Sequence, residues 1–169
     1  MLARPYAHTV IRRATPADAA DIARVQCETW RAAYAGILPD HVLDALSVSA
    51  GASRWEGHIA NDDVAVWVAG DVDGFASAGP SRDEDRHGTT ELYALYVHPR
   101  AQRRGFGAAL LDAAVEHGAS TLWVLAANDA GRAFYQARGW SEDGTKRTID
   151  LFGAPADEVR YATFGPFAR

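Results

Sequence analysis

Residues 91–111 read E-L-Y-A-L-Y-V-H-P-R-A-Q-R-R-G-F-G-A-A-L-L, and their pattern sets the architecture. The first seven, Glu91 to Val97, are rich in aromatic and aliphatic side chains, the composition of a strand. Pro99 breaks that run, a basic glycine-containing turn follows, and from Gly105 the apolar positions take a helical spacing. A strand that enters a helix through such a turn makes an anion site. The first helical N–H groups have no internal partner, and the helix dipole places positive charge there. The stretch predicts a phosphate-binding turn.

Outward from it, the rest of the chain alternates helical and strand patterns. Residues 9–13 (T-V-I-R-R) read as a first strand. Thr15, Pro16 and Asp18 then combine a hydroxyl cap, a proline at the first helical position and an acid in the first turn. The helix they open has Ala19, Ile22, Ala23, Gln26 and Trp30 at spacings of three and four and ends near Tyr34 and Gly36. Pro39 restarts a helix through Leu46, and Trp55 and Ile59 mark another over residues 49–60. Residues 64–69 and 75–78, joined by G-D-V-D-G, predict a hairpin. The mixed charges of residues 81–88 read as an exposed loop before the opening strand. The turn's helix runs over residues 105–117 and a strand over 121–126. A helix capped by Asn128 or Asp129 then ends at Gly139. Residues 148–152 and 159–164 suggest two final strands. The expected fold is a mixed α/β sheet flanked by helices, in one domain spanning residues 1–169.

With 169 residues, 48% hydrophobic and 23% charged, the chain is long enough for one well-filled core. A net charge of −5 argues against nucleic acid as a partner. No apolar run reaches membrane length, and Cys27 has no second cysteine to pair with, so the expected setting is cytoplasmic and reducing. The six histidines form no H-x-x-x-H or similar pair, and no metal is expected.

Two nucleotide motifs are excluded by spacing. No G-x-x-x-x-G-K-[ST] string exists, and Leu110 stands where the dinucleotide fingerprint needs its third glycine. What remains is Q-R-R-G-F-G, with Gln102, Arg103, Arg104, Gly105, Phe106, Gly107 and Ala108 as the candidate cradle and Arg100 beside it.

The run Y-V-H-P-R-A-Q-R-R-G-F-G-A-A-L-L resembles the acyl-CoA-binding segment of the GNAT superfamily of N-acetyltransferases, with its Q/R-x-x-G-x-G/A signature. A second family segment, L-W-V-L-A-A-N-D-A-G-R-A-F-Y-Q-A-R-G-W, follows at a suitable distance. The resemblance implies a central, mostly antiparallel sheet of about six or seven strands and acetyl-CoA as the acyl donor. It implies that Leu95, Tyr96 and Val97 pair with the pantetheine arm, that Asn128 lies beside it, and that Tyr135 lies near the thioester sulfur. Independently, Asn128, Gly131, Tyr135 and Arg138 fall on one face of their helix, a polar face poorly suited to a core.

The chemistry implied is direct transfer in a ternary complex. A neutral amine attacks the acyl carbon and coenzyme A leaves as a thiolate. Tyr135 is the expected general acid, with packing at a helix–sheet seam as the alternative. Glu91, or a water it holds, is the expected base, with a solvent-facing strand end as the alternative; an unbroken strand would align Glu91, Tyr93, Leu95 and Val97 on one face, and a bulge would reset this. Trp30, Tyr34 and Tyr93 are candidates for an aromatic acceptor wall. The acceptor is expected to be a small-molecule amine, with a peptide amine, at a protein N-terminus or a lysine, as the alternative. A non-catalytic acyl-CoA sensor is the competing class. The apolar tail of Tyr161, Phe164 and Phe167 reads as the last strand of the sheet or as a homodimer contact.

Overall fold

Strand β1 (Ile11–Arg13) hands the chain to its first helix through a turn built by local chemistry. The computed structural model, which describes residues 10–116 and 118–163, shows Pro16–Asp18 as a single turn of 3-10 helix. The Asp18 carboxylate accepts from the Thr15 N–H at 2.8 Å and the Thr15 hydroxyl at 3.0 Å. Arg12 grips both its oxygens at 2.8 Å. This Arg12 pairing, backed by Thr15, holds the Asp18 carboxyl well below the usual carboxylate range.

Helix α1 (Ala19–Ala33) follows, capped at Tyr34, with Gly36 turning the chain at a φ of 77°. Helix α2 (Asp40–Asp44) starts behind Pro39 and stops short of Leu46. Helix α3 (Val48–Ala60) is capped by Ser47, which accepts from the Ala50 N–H. The hairpin of β2 (Ala65–Ala69) and β3 (Gly74–Pro80) precedes β4 (Thr90–Val97), α4 (Phe106–Glu116) and β5 (Ala119–Leu125). Then come α5 (Asp129–Gln136) and a hairpin of β6 (Ser141–Leu151) and β7 (Ala154–Ala162). Strand β6 begins seven residues before the expected 148, because its N-terminal half is polar and lacks an apolar alternation. Residue 9, His117, Phe164 and Phe167, which the sequence expectations include, lie outside the described residues; Tyr161 is fully buried in β7.

The strands form one seven-stranded sheet in the order β1-β2-β3-β4-β5-β7-β6, antiparallel except for β4 against β5. Helices α1 and α3 cover one face through Ile22, Val25 and Trp55 on Val66, Val68 and Phe75. Helix α4 covers the other through Leu110 and Leu111 on Trp67, Leu92 and Leu122. The α1–α2 segment packs Tyr34, Leu38, Val42 and Leu43 on Leu125, Ala154 and Ala156.

One irregularity in β4 decides what the sheet can hold. Ser77 pairs with Ala94 and Ala78 with Leu92, so Tyr93 is an extra residue, a β-bulge. The Tyr93 hydroxyl donates to the Pro80 carbonyl, and the ring lies over Gly79, where a Cβ would come within 2.8 Å of that hydroxyl. The bulge resets the alignment expected of an unbroken strand: Leu92, Leu95 and Val97 pack on the α4 side, while Tyr93, Ala94 and Tyr96 pack on the α1 side.

The loop at residues 81–88 is exposed as expected, and it is also pinned to β6 and β7. Arg160, 2% exposed, reaches Asp83 at 3.1 Å, Asp85 at 2.6 Å and Asp143 at 2.7 Å. Arg86 adds a bond to Asp143 at 3.0 Å. A buried guanidinium needs this many carboxylates, and its charged form is stabilised by them, Asp85 most.

Replacing Asp18 with Asn tests the N-terminal turn. The expected loss is about 1–3 kcal/mol, a Tm drop of several degrees by thermal denaturation. Asp18 is more acidic folded than unfolded, so its contribution is complete above about pH 4 and fades as pH falls toward the folded value. The stability difference between wild type and variant should therefore shrink in acid.

Candidate active site

The parallel ladder between β4 and β5 runs only from Thr90–Ala119 through Glu91–Thr121 to Leu92–Leu122, and then the strands part. Past that point β4 keeps its β3 neighbour up to Val97 but has none on the β5 side, while β5 leans toward β7. Backbone groups on the open edges need partners from outside the sheet. A cavity of about 500 Å³ opens in the gap. Its walls are Leu92–Val97 of β4, Leu122–Leu125 of β5, the turn from Ala101 to Ala108 apart from Arg104, parts of α1 and α5, and Ile149, Leu151 and Glu158 of the last hairpin.

At one end lies the glycine turn. Arg103 takes a φ of 61° and Gly105 one of 88° before α4 begins. A left-handed arginine is disfavoured by its Cβ, so the turn is held in a conformation the residue alone would avoid. The Gln102 amide donates to the Val97 carbonyl at 3.1 Å, tying the turn back to β4. His98 anchors its start: its Nδ1 accepts from the Arg100 N–H at 3.2 Å, which leaves Nε2–H to donate to Glu28 on α1. Gly107 makes room for Phe134, whose ring a Cβ there would meet at 3.2 Å. Arg138 stacks on that ring at 3.9 Å.

Helix α5 forms the next wall. Asn128 caps it, its Oδ1 accepting from the Gly131 N–H at 3.0 Å. Any Cβ on Gly131 would sit 2.5 Å from the Asn128 amide nitrogen, so the glycine serves the cap as well as the cavity wall. Tyr135 lies one further turn along, among Phe134, Trp140 and Tyr161. Burial, then the neighbouring Tyr96, pushes its phenol above the usual value. Tyr34 and Tyr96 are raised too, burial first in each, and their hydroxyls interact.

Most sequence candidates meet here. Leu95, Tyr96, Val97, Gln102, Arg103, Gly105, Phe106, Gly107, Ala108, Asn128, Gly131, Tyr135 and Arg138 all line the cavity, as do Trp30, Tyr34 and Tyr93. Arg104 does not; it lies over the Phe106 ring at 5.3 Å. Glu91 is the main departure. It is 0% exposed, outside the cavity wall, and bound by Arg82 through the backbone N–H at 3.0 Å and the guanidinium. Both its oxygens are engaged in fixing the 81–88 loop, so Glu91 is not placed to take a proton from anything in the cleft. Tyr93 is also partly committed, since its hydroxyl is used by Pro80 and its ring by the Arg82 guanidinium at 4.4 Å.

Sequence reasoning missed Thr29, Phe134, Ile149, Leu151 and Glu158 as wall residues. Ile149, Leu151 and Glu158 sit on an alternating hairpin whose register against β5 is not visible from the chain alone. Among the described residues no group of three or more His, Cys, Asp or Glu could hold a metal, and no helix is long and apolar enough to cross a membrane.

Residues 62–142 match the family model described as acetyltransferase (GNAT) domain. The chain is 37% identical over 137 residues to the uncharacterized N-acetyltransferase YuaI of Bacillus subtilis, covering 75% of this chain and 77% of that one. Its fold is similar to the PaiA N-acetyltransferase of Thermoplasma acidophilum solved with coenzyme A, at a TM-score of 0.71 and 20% identity over 92% of this chain and 99% of that one. It is also similar to the ribosomal-protein-alanine N-acetyltransferase of Brucella melitensis, at a TM-score of 0.64 and 25% identity over 90% and 97%. The protein belongs to the GNAT superfamily of N-acetyltransferases.

The raised phenols give a direct optical test. Tyr34, Tyr96 and Tyr135 should not ionise near pH 10, the usual tyrosine range, while the fold is intact. A tyrosinate titration followed at 295 nm should show these rings appearing only at more alkaline pH or on unfolding. Because these phenols ionise more readily in the unfolded chain than in the folded one, they have no effect on stability below about pH 10, and stability should fall as pH climbs past it.

Proposed function

We propose that the protein transfers the acetyl group of acetyl-CoA directly to a primary amine within a ternary complex. The observation that carries this reading is the parted β4–β5 pair, with a strained basic turn at one end of the gap and a cluster of phenols at the other. Residues of that gap fit coenzyme A. The open edge of β4 at Leu95–Val97 suits the amide groups of a pantetheine arm, and the turn from Gln102 to Ala108 with the N-terminus of α4 suits a pyrophosphate. Arg103 and Arg138 add positive charge to the wall. When bound, acetyl-CoA supplies an activated acetyl thioester.

The protein's own groups supply orientation and proton handling. Asn128, with its oxygen spent on the α5 cap, keeps its NH₂ group for a carbonyl of the pantetheine arm. Tyr135, kept protonated by burial, presents an O–H to a leaving sulfur. Held protonated, the phenol donates toward the sulfur as negative charge develops there and passes its proton on as another reaches it. The apolar walls from Leu92, Leu122, Leu125 and Ile149 exclude water that would compete as an acceptor. We assign this activity to a cytoplasmic setting, on the strength of a single buried cysteine, Cys27.

The preferred acceptor is a small-molecule amine, since the cavity of about 500 Å³ is walled on the acceptor side by Trp30, Tyr34 and residues of the β6–β7 hairpin. A peptide amine is the second reading, favoured by the likeness to the Brucella enzyme. Isothermal titration should show acetyl-CoA binding, and free thiol should appear when an acceptor amine is added. Tyr135→Phe should lower kcat about a hundredfold or more while leaving the acetyl-CoA Kd nearly unchanged. An unchanged kcat would remove Tyr135 from the chemistry. Tight acetyl-CoA binding with no acceptor in any amine or peptide panel would favour a sensor.

A further inference from the structure

With Glu91 committed to Arg82, the acceptor amine lacks an evident proton acceptor, and one wall residue fits that need. Glu158 is the one carboxylate among the described residues lining the cavity. It lies on β7 opposite Leu125 of β5, close to where β5 leaves β4, on the face that packs against Tyr34 and Leu38. Its side chain is 12% exposed, and one oxygen, Oε2, accepts from Arg147 Nε at 2.7 Å. The structure gives Oε1 no hydrogen bond among the described residues.

The groups around Glu158 define what would sit against that oxygen. From α1 comes Tyr34 and from β4 comes Tyr96, both close enough to sense the carboxylate's charge. From β6 comes Arg147, whose guanidinium lies over Trp123 at 4.0 Å and reaches Asp83 at 3.9 Å. Arg160 lies beyond Trp123, at 5.7 Å from its ring, and is neutralised by its own acids. Across the cavity Trp30 meets Tyr34 edge-on at 5.2 Å and Tyr96 at 6.3 Å. The Thr29 hydroxyl is buried without a hydrogen-bond partner, and Thr29 lines the cavity. Orphaned polar atoms in a wall cost stability unless a ligand satisfies them.

Resting on the proposed acetyl transfer, we infer that Glu158 is the residue that binds the acceptor's ammonium and takes its proton, and that the acceptor is a monocationic amine with an apolar or aryl body. The aromatic rings hold the body and also favour the cation. An acceptor with its own carboxylate near the amine would meet Glu158 as a like charge. Arg147 orients Glu158 through Oε2 and leaves Oε1 for the substrate.

The proton balance is complete. One N–H bond of the ammonium breaks and its proton goes to Glu158, leaving the nitrogen lone pair free. That pair forms the bond to the acyl carbon as the carbon–sulfur bond breaks, its electrons leaving on sulfur. The second proton lost by nitrogen returns to sulfur by way of the Tyr135 hydroxyl, and Glu158 releases its proton to solvent.

The test uses the full chain, acetyl-CoA and two acceptors, 2-phenylethylamine and phenylalanine, which differ by one carboxylate. Wild type should favour 2-phenylethylamine by about tenfold or more in kcat/KM. Glu158→Gln should lower kcat/KM about a hundredfold, erase the acidic limb of the pH profile, and leave the acetyl-CoA Kd within about twofold, a pattern that a merely structural role would not produce. Retained kcat/KM with the limb intact would overturn the assignment, as would equal use of the two acceptors. Should the amide variant misfold, Glu158→Asp keeps the charge beside Arg147; it should lose about tenfold in kcat/KM with the limb preserved, and no loss would overturn the inference. Failure of wild type to bind acetyl-CoA would instead overturn the proposed function on which this rests.

Discussion

Two parallel strands that hydrogen-bond for a few residues and then diverge leave backbone donors and acceptors that the sheet cannot satisfy. In this chain that divergence follows Leu92 and Leu122, one residue before the Tyr93 bulge. A bulge increases local twist and bends its strand, which turns β4 away from β5 while keeping its ladder with β3. The bulge is itself held by local contacts: the Tyr93 hydroxyl on Pro80, the ring over Gly79, and Arg82 on the ring's face. The cavity, the exposed strand edge and the nearness of α1 and α5 across the gap all follow from this one departure from a regular sheet.

A second constraint stands behind the first. Arg160 and the acids around it bind the 81–88 loop to the last hairpin, and Glu91 with Arg82 binds the same loop to β4. The loop therefore bridges the two halves of the sheet at the end where they are still paired. Charged groups buried in such a network contribute less to net stability than to fixing one arrangement, since each must be desolvated before it is paired. Here the arrangement fixed is the angle between β4 and the β6–β7 hairpin. Arg147 carries the network toward the cavity, where it meets Glu158.

Much of this was legible in the chain. The turn from Gln102 to Gly107 was visible because glycine spacing and a strand-to-helix change are local signals. The α5 face was visible because Asn128, Gly131, Tyr135 and Arg138 are polar where a helix against a sheet should be apolar. Glu91 stands outside the cavity because Arg82, brought back by the 81–88 loop, takes both its oxygens, a partnership no local pattern announces. The 81–88 loop was read correctly as exposed, but its ties to Arg160, seventy-odd positions from Asp83 and Asp85, have no local sign in the sequence. Glu158 was invisible because its position depends on the register of β7 against β5, a long-range pairing.

The proposed acetyl transfer requires that the open edge of β4 and the glycine turn together receive coenzyme A. Amide hydrogen exchange, measured residue by residue with and without coenzyme A, tests it most directly. Slower exchange on binding should concentrate at residues 93–97 and 103–108, with the outer strands β1 and β6 unaffected. Protection confined to other elements, with β4 beyond Leu92 exchanging as it does in the free protein, would contradict it.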